Sequence, residues 1–199
     1  MNEARHVAGE RFSGADWALD ERERVHFEDC VFHDVDWSES TFTACTFERC
    51  EFGNCRFNAA VFERTALLQS TLRRCSFFGT TFDDCKLTGS TFDDCGLRPL
   101  TVHGGDWGFV SLQGQNLSGV RFGAVRLREA DLSGADLTRT DLRGADLSNV
   151  RLAGAVLKGA DLRGADLDGA PLRGVDVTGA KLNLAQAVHF TRAYGAIVS

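Results

Sequence analysis

The sequence predicts a solenoid, a chain that turns a corner every five residues and stacks its coils over one continuous core. Two observations carry this. An apolar residue recurs at every fifth position, through Phe27, Phe32, Trp37 and Phe42 and on to Leu167, Leu172, Val177 and Leu182; Arg22 is the single polar occupant between positions 12 and 182. Two places before each centre runs a second line of mostly small residues, such as Cys45, Cys50, Cys55, Ala60, Thr65, Ala135, Ala145 and Ala155. Internal repeats of this kind decide architecture before any single element does. On an α-helix, centres five apart would sit about 140° from one another, so no face would be apolar. On a flat strand an odd period alternates faces. Only a coil that bends at each repeat keeps every centre inside, and such units bury their apolar residue by stacking on neighbours.

The clearest phrase is Ala130-Asp131-Leu132-Ser133-Gly134, which returns at Ala145-Asp146-Leu147, at Ala160-Asp161-Leu162-Arg163-Gly164 and at Ala165-Asp166-Leu167-Asp168-Gly169. This A-D-L-x-G phrase resembles the pentapeptide-repeat proteins, and the resemblance covers nearly the whole chain. It implies an all-β fold, a right-handed quadrilateral parallel β-helix with four repeats, or twenty residues, to the coil. Three further stretches resemble the gyrase-binding MfpA/Qnr group of that family, the MfpA form most closely. They are Leu97-Arg98-Pro99-Leu100-Thr101, Arg126-Leu127-Arg128-Glu129, and Gln186-Ala187-Val188-His189-Phe190 leading to Tyr194-Gly195. The resemblance implies binding to DNA gyrase, with topoisomerase IV a further target, by imitation of duplex DNA. Members of the group protect the enzyme from quinolones or natural gyrase poisons, and some inhibit it.

The chain divides into three segments. Residues 1–24 read as an irregular N-terminal cap: Glu10 and Asp20 occupy small-residue positions and Arg22 a core position. A polar end stops solenoids from stacking end to end; a separate binding arm is the other reading. Residues 25–182 read as the β-helix, with mostly Phe centres up to Leu97 and mostly Leu from Leu112 onward. Across neighbouring coils, Arg64 faces Asp84, Arg73 faces Asp93 and Arg74 faces Asp94, pairs that would help fix register. A bulge or kink is expected near 98–116, where Pro99 removes a ladder donor and Leu100, Gly105 and Gln115 depart from the usual occupants. Leu97, Val102, Trp107 and Leu112 keep the count, so no loop is inserted, unlike the Qnr members with protruding loops. Phe78 and Phe109 fall at outward positions, either packed locally under the kink or free to meet a partner.

Residues 183–199 change character. Asn183 with Gln186 three residues on forms a capping box, and Leu184, Ala187, Val188 and Thr191 recur at helical spacing before Gly195. A short C-terminal α-helix over the open coil is expected, serving as a simple end cap or also as a dimerisation tail. In relatives of the MfpA type this end forms a homodimer, which would place Val188, Phe190, Tyr194, Ile197 and Val198 at an interface.

Length and charge fit one soluble domain. The chain has 199 residues and a net charge of −6, which disfavours direct nucleic-acid binding through a basic patch. No apolar run approaches membrane-spanning length and no leader pattern follows Met1, so a cytoplasmic protein without membrane contact is expected. The seven cysteines all fall on the small-residue line and none forms a C-x-x-C pair. Cys55, Cys75 and Cys95 are one coil apart, within disulfide reach by spacing but with parallel Cβ vectors, so structural thiols are expected rather than bridges or a metal site.

Catalysis finds no motif: the five histidines are scattered and the glycines recur as turn residues. No cofactor and no enzymatic activity are expected. Asp131, Asp136, Asp141, Asp146, Asp161 and Asp166 hold the Asp/Asn place of the repeat, where short polar side chains bond the turning backbone. They are also the candidate partner-binding acidic surface, with Asp141, Asp146, Asp161 and Asp166 grouped on two adjoining faces. Positions 12–182 make about 8.5 coils and about 40 Å at strand spacing, and a tail-to-tail dimer about 80 Å. Duplex DNA of that length carries about 47 charges; the dimer carries −12, twice the −6 of one chain. Mimicry of DNA is therefore local. A non-catalytic solenoid scaffold for some other protein is the competing expectation.

Overall fold

The structure, a computed structural model, describes residues 5–197. Short parallel strands stack at an offset of twenty residues on three faces. The first sheet joins Arg5–Ala8, Val25–Glu28, Thr46–Glu48 and Ala66–Leu68. A second runs Arg11–Ser13, Val31–His33, Glu51–Gly53, Thr71–Arg73 and Thr91–Asp93. A third runs Glu21–Glu23, Thr41–Thr43, Val61–Glu63, Thr80–Asp83 and Leu100–His103. The fourth face is a column of single bridges, Asp16↔Asp36, Asp36↔Arg56, Arg56↔Ser76 and Ser76↔Gly96. Beyond Leu100–His103 the ladder continues only as such bridges, at the same offset, to Asp161↔Lys181. The result is a four-sided parallel β-helix.

The core is the line of centres. Leu132, Leu137, Leu142 and Leu147, one on each side of a coil, are all fully buried in a single interior. In the N-terminal half, like centres stack ring on ring: Phe27 on Phe47 at 5.0 Å, Phe42 on Phe62 at 4.7 Å and Phe57 on Phe77 at 4.9 Å between centroids. That separation is the rung spacing itself, so the backbone ladder sets the aromatic stack. The thiols are free. Each reaches back to a carbonyl of the preceding rung, as Cys85 Sγ does to Phe62 O at 3.2 Å and Cys45 Sγ to Arg22 O at 3.3 Å. Thr65 and Ser90 make the same bond to Phe42 O and Leu67 O, so Cys, Ser and Thr are interchangeable there. Burial pushes the Cys50 and Cys85 thiols up to about 12, which keeps them protonated and unreactive.

The corners differ between halves. From Leu112 onward the centre's carbonyl accepts the N–H three residues later, as Ala135 N–H to Leu132 O at 3.0 Å, with glycine commonly between them at positive φ. In the N-terminal half that place holds Arg24, Asp29, Asp34, Ala44, Arg49, Arg64, Gln69 and Arg74 at φ of +47° to +54°. Glycine is thus not the general turn residue expected. The left-handed conformation costs a residue with a Cβ about 1–2 kcal/mol. The rung above offsets it by accepting the same residue's N–H, as Thr43 O does from Arg24 at 3.0 Å.

Three expectations need correction. Regular pairing starts at Arg5, in register with Val25, so residues 5–24 form a proper rung rather than an irregular segment. What is unusual there is one side chain: Arg22 lies across the open end, its guanidinium 4.6 Å from the Trp17 ring and 2.6 Å from Asp20 Oδ2. Of the three cross-coil ion pairs, Arg73–Asp93 forms at 3.8 Å, but Arg64 turns to its neighbour Glu63. No Arg74–Asp94 pair forms among the described residues, and both side chains are exposed. Phe78 and Phe109 do not pack under a kink; they are 61% and 56% exposed.

Near residues 98–116 the ladder opens on one face. The Arg98–Pro99 bond is cis, and Pro99 has no N–H to give the next rung. A cleft of about 490 Å³ separates Arg98, Pro99 and Leu100 from Ser118, Gly119 and Val120. The neighbouring faces hold, through Thr91↔Ser111, Thr101↔Arg121 and Asp106↔Arg126. Gln115 spans the widened gap from inside, donating to Phe92 O at 3.3 Å and accepting from Cys95 N at 3.3 Å. Its length does there what a hydroxyl does elsewhere.

Candidate partner-binding surfaces

Each of the six candidate aspartates sits one residue before a buried leucine. Its Oδ1 accepts the N–H two residues ahead: Ser133 for Asp131 (3.0 Å), Thr138 for Asp136 (2.9 Å), Arg143 for Asp141 (3.1 Å) and Ser148 for Asp146 (3.0 Å). Asp161 and Asp166 do the same with Arg163 (3.3 Å) and Asp168 (3.0 Å). This Asx geometry fixes each carboxylate against the corner. The four grouped aspartates stack in two columns, Asp141 beside Asp161 and Asp146 beside Asp166.

The columns are not equally acidic. Arg143 forks onto Asp141 at 2.9 and 2.7 Å, and Arg163 onto Asp161 at 2.8 and 2.6 Å. Arg163 holds the Asp161 carboxyl down at about 2, and Arg143 lowers that of Asp141. Arg121 and Lys181 flank the same column through the Arg121↔Asp141 and Asp161↔Lys181 bridges. Asp131 is met by Arg151 at 3.1 Å. Asp146 is bonded instead by the Ser148 N–H and hydroxyl, the latter at 2.6 Å. Arg126 neighbours Asp146 in its column but turns to Asp106 at 3.4 Å, so Asp146–Asp166, with Asp168 two residues on, presents the less compensated charge. The sequence signal for the Arg143 and Arg163 clasps is an Arg two places after the Asp, the residue whose own N–H the Asx turn already holds; Arg151 reaches Asp131 from the next rung instead.

The tail covers the C-terminal opening. Helix α1 (Leu184–Ala193) is capped by Asn183, whose side chain accepts the Gln186 N–H at 3.3 Å while Gln186 Oε1 accepts the Asn183 N–H at 3.1 Å. The same Gln186 is buried and donates to Ala165 O at 2.9 Å, tying the helix to the last rungs. Of the candidate interface residues, Phe190 packs partly against the chain's own core and Val188 is half-buried. Tyr194 is mostly exposed, its hydroxyl accepting the Gly174 N–H at 3.2 Å, and Ile197 is 96% exposed, with Leu184 on the same tail at 82%. Val198 lies outside the described residues. No helix among the described residues is long and apolar enough to cross a membrane.

A four-sided ladder with ion pairs and Asx turns on its outward columns defines a repeat solenoid. The chain belongs to the pentapeptide-repeat family: profiles described as pentapeptide repeat region and pentapeptide repeats match residues 23–66, 45–122, 109–144 and 145–183. No curated protein matches it in sequence. Among solved structures it is similar to full-length QnrB1, a plasmid-mediated fluoroquinolone resistance protein, with TM-score 0.74 and 20% identity over 96% of this chain and 100% of that one. It is also similar to HetL from the cyanobacterium Nostoc sp. strain PCC 7120, a pentapeptide-repeat protein involved in heterocyst differentiation regulation, with TM-score 0.51 and 21% identity over 89% of each chain. At these identities the likeness is one of fold.

Proposed function

We propose that this chain is a non-catalytic mimic of duplex DNA that binds DNA gyrase, and topoisomerase IV as a related target, in the cytoplasm. By occupying the enzyme's DNA-binding surface it modulates activity and protects against quinolones or natural gyrase poisons. The observation that carries this is a rigid ladder whose ionised carboxylates are pinned in columns at rung spacing, on a fold that matches a fluoroquinolone resistance protein from end to end. The partner-binding surface is the set Asp131, Asp136, Asp141, Asp146, Asp161 and Asp166, dominated by Asp146 and Asp166. The exposed rings of Phe78 and Phe109 are further contact points. Two copies join tail to tail through Tyr194, Ile197 and Val198, with Val188 and Phe190 at the edge, doubling the rod. Supercoiling by purified gyrase, with and without a quinolone, tests this: the added chain should slow supercoiling or reduce drug-stabilised cleavage. No effect in either arm would overturn it.

A second reading is a scaffold for a different protein. It is favoured by the Arg143, Arg151 and Arg163 clasps, which cancel charge that a DNA mimic would display, and by a regulatory protein sharing the fold. Capture of partners from cell extract with no topoisomerase subunit among them would support it.

A further inference from the structure

The first two rungs bring together a group of side chains that the surface reading does not use. His6 pairs in register with His26, and both point outward from adjacent strands with ring centroids 4.9 Å apart. Glu28 lies two residues beyond His26 on the same strand, hence on the same face. Donor atoms of His6, His26 and Glu28 all lie within 4.8 Å of one another. His6 Nε2 is 3.0 Å from Glu28 Oε2. His26 Nε2 is shielded from solvent and makes no hydrogen bond, although Glu48 Oε2 lies 3.3 Å away. A buried ring nitrogen without a partner carries a desolvation cost that a ligand would relieve.

We propose that His6, His26 and Glu28 bind a divalent transition-metal ion of the zinc class, which clips the terminal rung to the second. Two imidazoles and a carboxylate are the donors such borderline ions take, at about 2.0–2.2 Å, leaving a fourth position for water. Drawing the donors to tetrahedral separation asks only for side-chain rotation, because the ladder already sets the two imidazoles one rung apart. Arg49 engages the other Glu28 oxygen together with Asp29 and Glu48. Its one positive charge stands against three carboxylates, so the surroundings of the site remain net negative. The placement also has a use. Among the described residues Arg5–Ala8 ends its sheet and is paired on one side only, so an ion shared between His6 and the second rung would hold a strand prone to fray.

The test uses the full chain, stripped with a chelator and titrated with Zn2+ against a chromophoric competitor, with Co2+ absorption as the spectroscopic readout. One ion per chain is expected. His26→Ala and Glu28→Gln should each weaken binding by about tenfold or more, while His33→Ala and His103→Ala should not. Zn2+ should slow amide exchange at Arg5–Ala8 in the native chain and leave it unchanged in His26→Ala. Glu28→Gln keeps the side chain's shape, so its fold is not at stake. Equal affinity in native chain and both ligand variants, loss through His33 or His103, or unaltered exchange at Arg5–Ala8 would each overturn the site.

Discussion

The Arg143 guanidinium lies across the Asp141 carboxylate two residues earlier, with Nε 2.9 Å from Oδ1 and Nη2 2.7 Å from Oδ2. Arg163 repeats the clasp on Asp161 one rung on. These fork pairs mean that two of the four grouped aspartates bring their own counter-charge to any partner. Asp146→Asn with Asp166→Asn should therefore weaken the effect on gyrase more than Asp141→Asn with Asp161→Asn. Asparagine keeps the turn bond, so the β-helix should survive both. The difference should shrink as salt rises, since charges are screened beyond about 8 Å at physiological ionic strength. Supercoiling assays at two salt concentrations read it, and equal activity of all variants would assign recognition to shape or another face.

The Arg163 clasp and a cross-rung pair from Arg56 to Asp36 at 2.7 Å set an acid limit. Arg163 holds Asp161, and Arg56 holds Asp36, at about 2, below the ordinary Asp value of about 3.9. A carboxyl depressed in the folded state contributes stability above its unfolded pKa and loses it as pH falls through the folded one. The melting temperature should therefore be level above about pH 4 and fall between about pH 4 and 2. Arg163→Gln with Arg56→Gln should flatten that fall, as followed by circular dichroism.

Gly105 tests how tightly the small-residue line is held. At φ +97° an added Cβ would collide with the Cys85 carbonyl oxygen, whereas Gly104, at φ +63°, has nothing within 4 Å of the same addition. Gly104→Ala should cost about 1–2 kcal/mol from its left-handed backbone alone. Gly105→Ala should cost clearly more, because the Cys85–Gly105 rung contact must open. Denaturant midpoints of the two variants give the comparison.

How much of this was legible follows from where each interaction closes. The centres closed on themselves: any residue five from Leu132 had to share its interior, so the buried line could be written down in full. Arg22 stood out as a polar residue on that line, but its seat over Trp17 could not be read, because it depends on the guanidinium turning back over a ring of its own coil. Arg143 and Asp141 were both in view, yet their pairing depends on the Asx turn that folds position i+2 back over i. His6 and His26 lie twenty apart, the coil length itself, so their register was implicit in the repeat; the open nitrogen of His26 was not, since it rests on how the ring turns in its strand.

Arg22 closes the N-terminal end with a charge. Its side chain covers Trp17 and reaches Phe27 at 5.8 Å, so the last apolar rung is topped by a guanidinium paired with Asp20. An uncovered rung with free ladder edges invites another chain to add. Arg22→Leu should leave the monomer fold intact in circular dichroism while producing larger species in light scattering at high protein concentration. An unchanged mass would move the protection to the strand edges rather than this side chain.

The C-terminal end makes the opposite choice. There Val177, Ala180 and Leu182 are only half-covered against the core, and Leu184, Tyr194 and Ile197 on the tail are exposed. Apolar side chains gathered at one end of a rod are the composition of an interface core rather than of a solvated cap. Tyr194 is placed for it: its hydroxyl is held by the Gly174 N–H, which fixes the ring outward with little rotamer freedom left to lose on association. Removing residues 193–199 takes away Tyr194 and Ile197 but leaves Gln186 bonded to Ala165, so the helix should stay docked. Light scattering should then report half the native mass, and Tyr194→Ala alone should weaken the dimer in the same direction. Loss of the dimer should also lower activity on gyrase, because a single rod covers half the length of enzyme surface. A truncated chain of unchanged mass would remove the tail from the interface, and a monomeric chain of full activity would separate assembly from function.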